Sequence, residues 1–132
     1  MSKPTLSIFT GGKGLGVIYK EQSELIVKWT EANAPLTSSS GRISFNLTGK
    51  TRIITVQGAH DGTGFDGATQ EAKLGDFIYE METWINATTQ LSKTYTNSFA
   101  VAYKVDCVDW IWTRSNTDPG RILYTLLLKE AI

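Results

Sequence analysis

The sequence predicts a mainly β fold with one α-helix: an antiparallel β-sandwich or partly closed β-barrel on which a single amphipathic helix packs. Three observations carry this. Runs of alternating apolar and polar residues, cleanest in Arg42–Thr48 (RISFNLT), recur between turns rich in Gly, Pro and Asn. One stretch alone, Leu74 to Ile85, repeats its apolar residues at the helical period. The chain of 132 residues has no internal repeat and no linker, which fits a single domain, 1–132, burying roughly two-thirds of its unfolded surface.

Taken in order, Thr5–Phe9 alternates weakly and runs into Gly11-Gly12-Lys13-Gly14-Leu15-Gly16. A phosphate loop needs Ser or Thr after Gly-Lys, and Gly14 follows instead. A dinucleotide fingerprint needs a helix after the glycines, but Leu15–Lys20 (LGVIYK) reads as strand. The cluster is expected to be a flexible turn. Glu24–Thr30 (ELIVKWT) puts Leu25, Val27 and Trp29 on one face. In Arg42–Thr48, Ile43, Phe45 and Leu47 face in while Arg42, Ser44, Asn46 and Thr48 face out. Between these strands Glu31–Gly41 (EANAPLTSSSG) is too long for a tight turn and too polar for core, so a hairpin with an extended, mobile tip is expected. A turn at Gly49-Lys50 leads to a strand over Thr51–Gln57, which ends at the glycine-rich stretch Gly58–Gly67.

The helix is expected next. Leu74, Phe77, Ile78, Met81, Trp84 and Ile85 form one stripe, Asp66 or Thr69 caps the start, and Glu71 suits the first turn. Its other face carries Glu71, Asp76, Glu80 and Glu82, either as a solvated face or as a surface that meets a basic partner. Beyond it, Phe99, Val101, Tyr103, Val105 and Cys107 share one face of Ser98–Cys107. The apolar phase then flips to Val108, Trp110 and Trp112, which predicts a bulge or bend near Asp106–Asp109. The turn Asn116–Gly120 opens a last strand, Arg121–Lys129 (RILYTLLLK), apolar on both faces and so expected to be buried on both.

Composition narrows the function. Thirteen basic and thirteen acidic residues cancel, so there is no basic excess to displace counterions from nucleic acid, and little self-repulsion opposes association of copies. No window approaches the ~20 apolar residues of a membrane helix. The start, MSKPTLSIFTGG, has no long apolar stretch, so an intracellular setting is expected and the sequons at Asn46 and Asn86 read as chance. Cys107 reads as a buried thiol and His60 is the only histidine, so no catalytic, cofactor-binding or metal-binding set emerges and a non-enzymatic protein is expected. Asp61 and Asp66 lack the ligand spacing of a calcium loop. Two other readings stay open: a ligand-binding barrel with Trp110, Trp112 and Tyr103 as an aromatic wall, and a hydrolase using His60 with Asp61 or Asp66. Trp110 and Trp112, at i and i+2, enter either the core or a shared interface together.

The C-terminal third carries a resemblance. Tyr103-Lys104-Val105, then Val108-Asp109-Trp110-Ile111-Trp112, then Pro119-Gly120-Arg121 and the strand to Glu130 resemble small structural proteins of tailed viruses and contractile injection systems. There, a strand ending in alternating Trp precedes a Pro-containing turn and a strand like R-x-x-Y-x-L-x-L-x-E. Over Arg52–Glu130 the order of elements is similar to the tail-tube fold. The resemblance implies a structural subunit that joins its copies into a ring, usually six-fold, forming the tail tube or adapting it to a baseplate in a virion tail assembled in the host cytoplasm. It also implies an inter-ring contact loop holding Glu31, Asn33, Pro35, Leu36 and Ser39, and a helix on the outside of the barrel whose acidic face meets sheath, baseplate or neighbouring tail proteins. Trp29, Trp110, Trp112 and Tyr124 are the candidates for the subunit interface. DNA enters only as cargo through the channel, and neither cofactor nor membrane is implied.

Overall fold

The computed structural model describes residues 3–35, 42–87, 89 and 91–131, with side chains except over 28–49. Six antiparallel strands form one curled half-barrel sheet, and a single helix packs on it. The strands are β1 (Thr5–Leu6), β2 (Val17–Pro35), β3 (Arg42–His60), β4 (Lys93–Thr96), β5 (Ala102–Arg114) and β6 (Ile122–Glu130), and the helix, α1, spans Gln70–Ile85 between β3 and β4. The sheet order is β1-β4-β5-β6-β3-β2. The sandwich alternative thereby gives way to one sheet that curls, helped by register shifts between Ile18 and Lys20 and between Cys107 and Asp109, since bulges sharpen strand twist. The second shift is the bulge expected from the change of apolar phase.

Inward-facing side chains fill the concave side. Ile54, Val56, Val105, Tyr124, Leu126 and Leu128 are buried there with Leu74, Phe77, Met81 and Trp84 of the helix, while Ile78 and Ile85 pack against the same cluster. The helical stripe is therefore the one expected. Thr69 caps it, its hydroxyl accepting the Ala72 N–H at 3.1 Å. The curl brings distant strands together across the core. The Tyr95 hydroxyl of β4 donates to the Glu21 carboxylate of β2, and the Arg52 guanidinium of β3 stands 4.6 Å from the Tyr103 ring of β5. Glu21 shares strand parity with Leu25 in a face expected to be apolar, a readable sign of a buried partner.

Four boundaries differ from expectation. The turn at Gly49-Lys50 is strand, with Lys28 opposite Gly49 and Val27 opposite Lys50, because one unbroken ladder satisfies backbone groups that a turn would leave exposed. The five strands expected before the helix thus merge into three. The expected tip Glu31–Gly41 is paired backbone as far as Pro35 opposite Arg42, so the tip is shorter. Residues 98–101, expected as strand, form a turn because the Asn97 carboxamide oxygen accepts the Phe99 and Val101 N–H groups at 2.9 and 3.0 Å. Finally, β6 is buried on one face only. Ile122, Tyr124, Leu126 and Leu128 are buried, whereas Leu123 on the convex side is 48% exposed, because the lone helix covers only the concave side.

Candidate assembly surfaces

The longest feature is a two-stranded ribbon. Strand β6 pairs with β3 only from His60 to Ile53, where Lys129 lies opposite. From Leu25 opposite Arg52 to Pro35 opposite Arg42, β2 and β3 pair only with each other among the described residues, and β2 is the sheet edge. That ribbon extends roughly 30–35 Å at the usual rise per residue. Trp29, Glu31, Asn33 and Pro35 occupy it, opposite Thr48, Asn46, Ser44 and Arg42. The side chains of these four lie outside the described residues, as do Leu36 and Ser39 entirely.

A second surface is the convex face of the sheet. Across β5, β6 and β3, Ile111 lies opposite Thr125 and Thr125 beside Gln57, while Thr113 lies opposite Leu123 and Leu123 beside Ala59. Opposed residues share a face, so these rows alternate with those of the core, and Ala59, 3% exposed, is the one buried member of them. No helix lies over them among the described residues. Exposed apolar groups therefore accumulate here, with Val17 and Tyr19 of β2 adding to Ile111 and Leu123.

The three interface candidates whose side chains are described, Tyr124, Trp110 and Trp112, separate. Tyr124, expected at an interface, is core: it is 3% exposed and its hydroxyl donates to the Leu15 carbonyl at 2.6 Å. Burial raises its hydroxyl pKa far above the ordinary tyrosine value. Trp110 is half-buried against Phe77 and Tyr124, with ring centroids 6.0 and 5.4 Å away, and its indole N–H donates to Glu82 at 3.1 Å. Trp112, on the same face, is 41% exposed, although α1 meets the residues two positions away on either side, Trp110 through Glu82 and Arg114 through Glu71. The pair is therefore split in burial. Nor do Trp110, Trp112 and Tyr103 form one aromatic wall, since Tyr103 is engaged by Arg52 and Trp110 by the core.

The acidic face of α1 is equally divided. The helix lies on the concave side of the sheet rather than outside the barrel, because its apolar stripe has its only deep cover there. Glu80 accepts Lys13 Nζ at 3.0 Å, Glu82 holds Trp110, and Glu71 meets Arg114 at 3.2 Å. These three carboxylates tie the helix to the glycine loop and to β5. Asp76 and Tyr79 remain exposed on its outer side.

Of the three residues that the hydrolase reading names, His60 and Asp61 are held by backbone groups. His60 is 2% exposed and stacks on Phe77 with centroids 4.0 Å apart. Its Nδ1 accepts the Gly62 N–H at 2.8 Å, so Nε2 carries the proton and donates to the Gly14 carbonyl at 2.9 Å. Asp61 instead accepts the Thr63 N–H at 2.9 Å, and these Thr63 bonds lower its pKa. His60 thus latches the glycine cluster 11–16 to the loop after β3, and nothing in its bonding resembles a His–Asp pair. Burial raises the Cys107 thiol to about 11, which keeps it protonated and unreactive at neutral pH.

The latch is pH-sensitive. Burial lowers the His60 pKa, outweighing the Gly14 carbonyl and Asp61, which raise it. The unfolded chain therefore binds a proton more readily than the folded one, and stability is intact above the unfolded value of 6.5 and lost as pH falls from there towards the lower folded value. The expected result is a melting temperature that drops between pH 7.5 and 5, and drops less in His60→Gln. A flat profile in the wild type over that range would refute the latch.

No protein-family model and no curated protein matches the chain. Among solved structures it is similar to a chain in the tail of an empty gene transfer agent particle of C6 symmetry, at 9% identity and a TM-score of 0.48, covering 91% of this chain and 81% of that one. It is likewise similar to a chain in the virion of a native gene transfer agent particle, at 8% identity and a TM-score of 0.48, covering 91% and 84%. The structural neighbours are thus components of gene transfer agent tail and virion particles.

Proposed function

We propose that this chain is a non-enzymatic structural subunit of a viral tail or related tube, which assembles with its own copies into a ring, six-fold as the resemblance implies. The observation that carries this is the unsupported ribbon of β2 and β3. A two-stranded hairpin is marginal alone in water, and this one runs some ten residues past the last strand that braces it. Such a ribbon is stabilised when it lies against another subunit. The long free edge of β2 and the uncovered convex face support the same reading, since both are hazards in a monomer and assets in an assembly. In this reading the ribbon tip, with Glu31, Asn33, Pro35, Leu36 and Ser39, meets the next ring, and Trp112 lies towards a neighbour. Tail, sheath or baseplate proteins are further partners, DNA is cargo at most, and the assembled place is the virion tail.

The test is a shortened hairpin. Replacing residues 29–48 by a two-residue Asn-Gly turn leaves the register up to Lys28 opposite Gly49 intact. The expected outcome is a folded monomer at concentrations where the full chain forms rings by light scattering and negative-stain microscopy. A full chain that stays monomeric at high concentration would overturn the proposal.

A further inference from the structure

We infer that the β4–β5 turn is a knob that seats in the convex-face groove of a second copy, giving a head-to-tail contact; the inference rests on the self-assembly reading above. Phe99, at the tip, is 80% exposed, and Ala100, Val101 and Ala102 beside it are exposed too. An apolar tip of this kind on a floppy loop would fold back onto the protein. This one is pinned outward. Asn97 accepts two turn N–H groups, Ser98 donates to Glu21 through its hydroxyl at 2.8 Å, and Ala100 holds a φ of 64°, a left-handed conformation that a non-glycine residue keeps only when its surroundings impose it. Glu21 is thereby both the closure of the half-barrel and the anchor of the knob.

The groove that fits it lies on the same chain. It has a volume of about 380 Å³ and is lined by Tyr19, Gln57, Ile111, Thr113, Leu123 and Thr125, with no charged side chain. Ile111 and Leu123 stand open on it, at 59% and 48% exposure. An uncharged groove with apolar walls selects an uncharged apolar insert, and Phe99 is the most exposed large apolar residue among those described. The two features sit at opposite ends of β5, the knob just before Ala102 and the groove around Ile111 and Thr113, roughly 30 Å apart along the strand. A chain cannot reach its own groove. A knob and groove on different parts of identical copies make a heterologous contact, which propagates or closes into a ring.

One aromatic buries about 150–250 Å², far below the roughly 800 Å² per partner of a stable interface. The contact therefore works together with the ribbon, and its loss weakens assembly without touching the fold.

The experiment measures the concentration at which assembly begins for wild type, Phe99→Ser, Leu123→Lys, the milder Ile111→Thr, and the double variant Phe99→Ser/Leu123→Lys. Melting curves accompany each to confirm folding. Phe99→Ser is expected to raise that concentration roughly 10–100-fold. If the two residues meet, the double variant is no worse than the weaker-assembling single one. Additive effects, or a Phe99→Ser chain that assembles like wild type, would overturn the knob alone. Loss on groove substitution with Phe99→Ser unaffected would assign the groove to another occupant and equally overturn it. A wild-type chain that never assembles would overturn the self-assembly reading itself.

Discussion

Phe77→Ala is expected to cost about 3–5 kcal/mol of folding stability and to lower the melting temperature by roughly 10–20 °C. Phe77 is fully buried and is the hub of the aromatic cluster, with the rings of Phe9, His60, Phe65, Trp110 and Tyr124 all within 6.0 Å of its own. These partners come from the N-terminal segment, β3, the loop before the helix, β5 and β6. Removing the ring leaves a cavity that no single element can relax to fill. Phe77→Leu keeps most of the volume and is expected to cost less than half as much. Thermal denaturation of both variants checks this, and a loss in Phe77→Ala below about 1 kcal/mol would show that the helix is not the keystone of the half-barrel.

Two glycines are expected to respond to alanine with opposite signs. Gly64 holds a φ of 90°, and a Cβ there would overlap the Gly12 carbonyl oxygen, a backbone atom that cannot swing aside. Gly64→Ala is therefore expected to cost about 2–3 kcal/mol, through left-handed strain and displacement of the glycine cluster. Gly75, inside α1, has open space at the position of a Cβ, so Gly75→Ala is expected to add up to about 1 kcal/mol by helix propensity. Paired chemical denaturation reads both. If Gly64→Ala proved as stable as wild type, the packing of the loop 61–69 on residues 11–16 would be refuted. The glycine cluster that resembles a phosphate loop in sequence is, on this account, a packing device.

Local signals were read where local physics decided the outcome. The stripe from Leu74 to Ile85 is helical because one apolar face needs the 3.6-residue period, and Thr69 caps it whatever it packs against. The bulge at Cys107–Asp109 was legible because a strand cannot move apolar side chains to its other face without an extra residue. Strand ends were less legible. Gly49-Lys50 has the composition of a turn, but the β2–β3 ladder runs in register on both sides of it and pairs it with Lys28 and Val27. Of the candidate surfaces, Trp112 and Tyr124 pair directly across strands and share a face, yet Tyr124 is buried in the core and Trp112 is 41% exposed, a difference that strand parity does not carry. Phe99 falls in a run whose alternation predicts strand, whereas its exposure depends on Asn97 and Glu21, the latter far away in sequence.

By itself, then, the sequence determined the mainly β class, the one helix and its buried stripe, the bulge, and the absence of net charge. Each follows from the period or type of neighbouring residues. Only the tertiary structure decided that the sheet curls into a half-barrel closed by Glu21 and Tyr95, and that one helix covers one face. It also decided that β6, apolar on both sides, leaves Leu123 in the open. The reason is physical. Period shows which residues share a face, but which face is covered depends on how many elements there are to cover it, and the described residues hold one helix for a sheet of six strands.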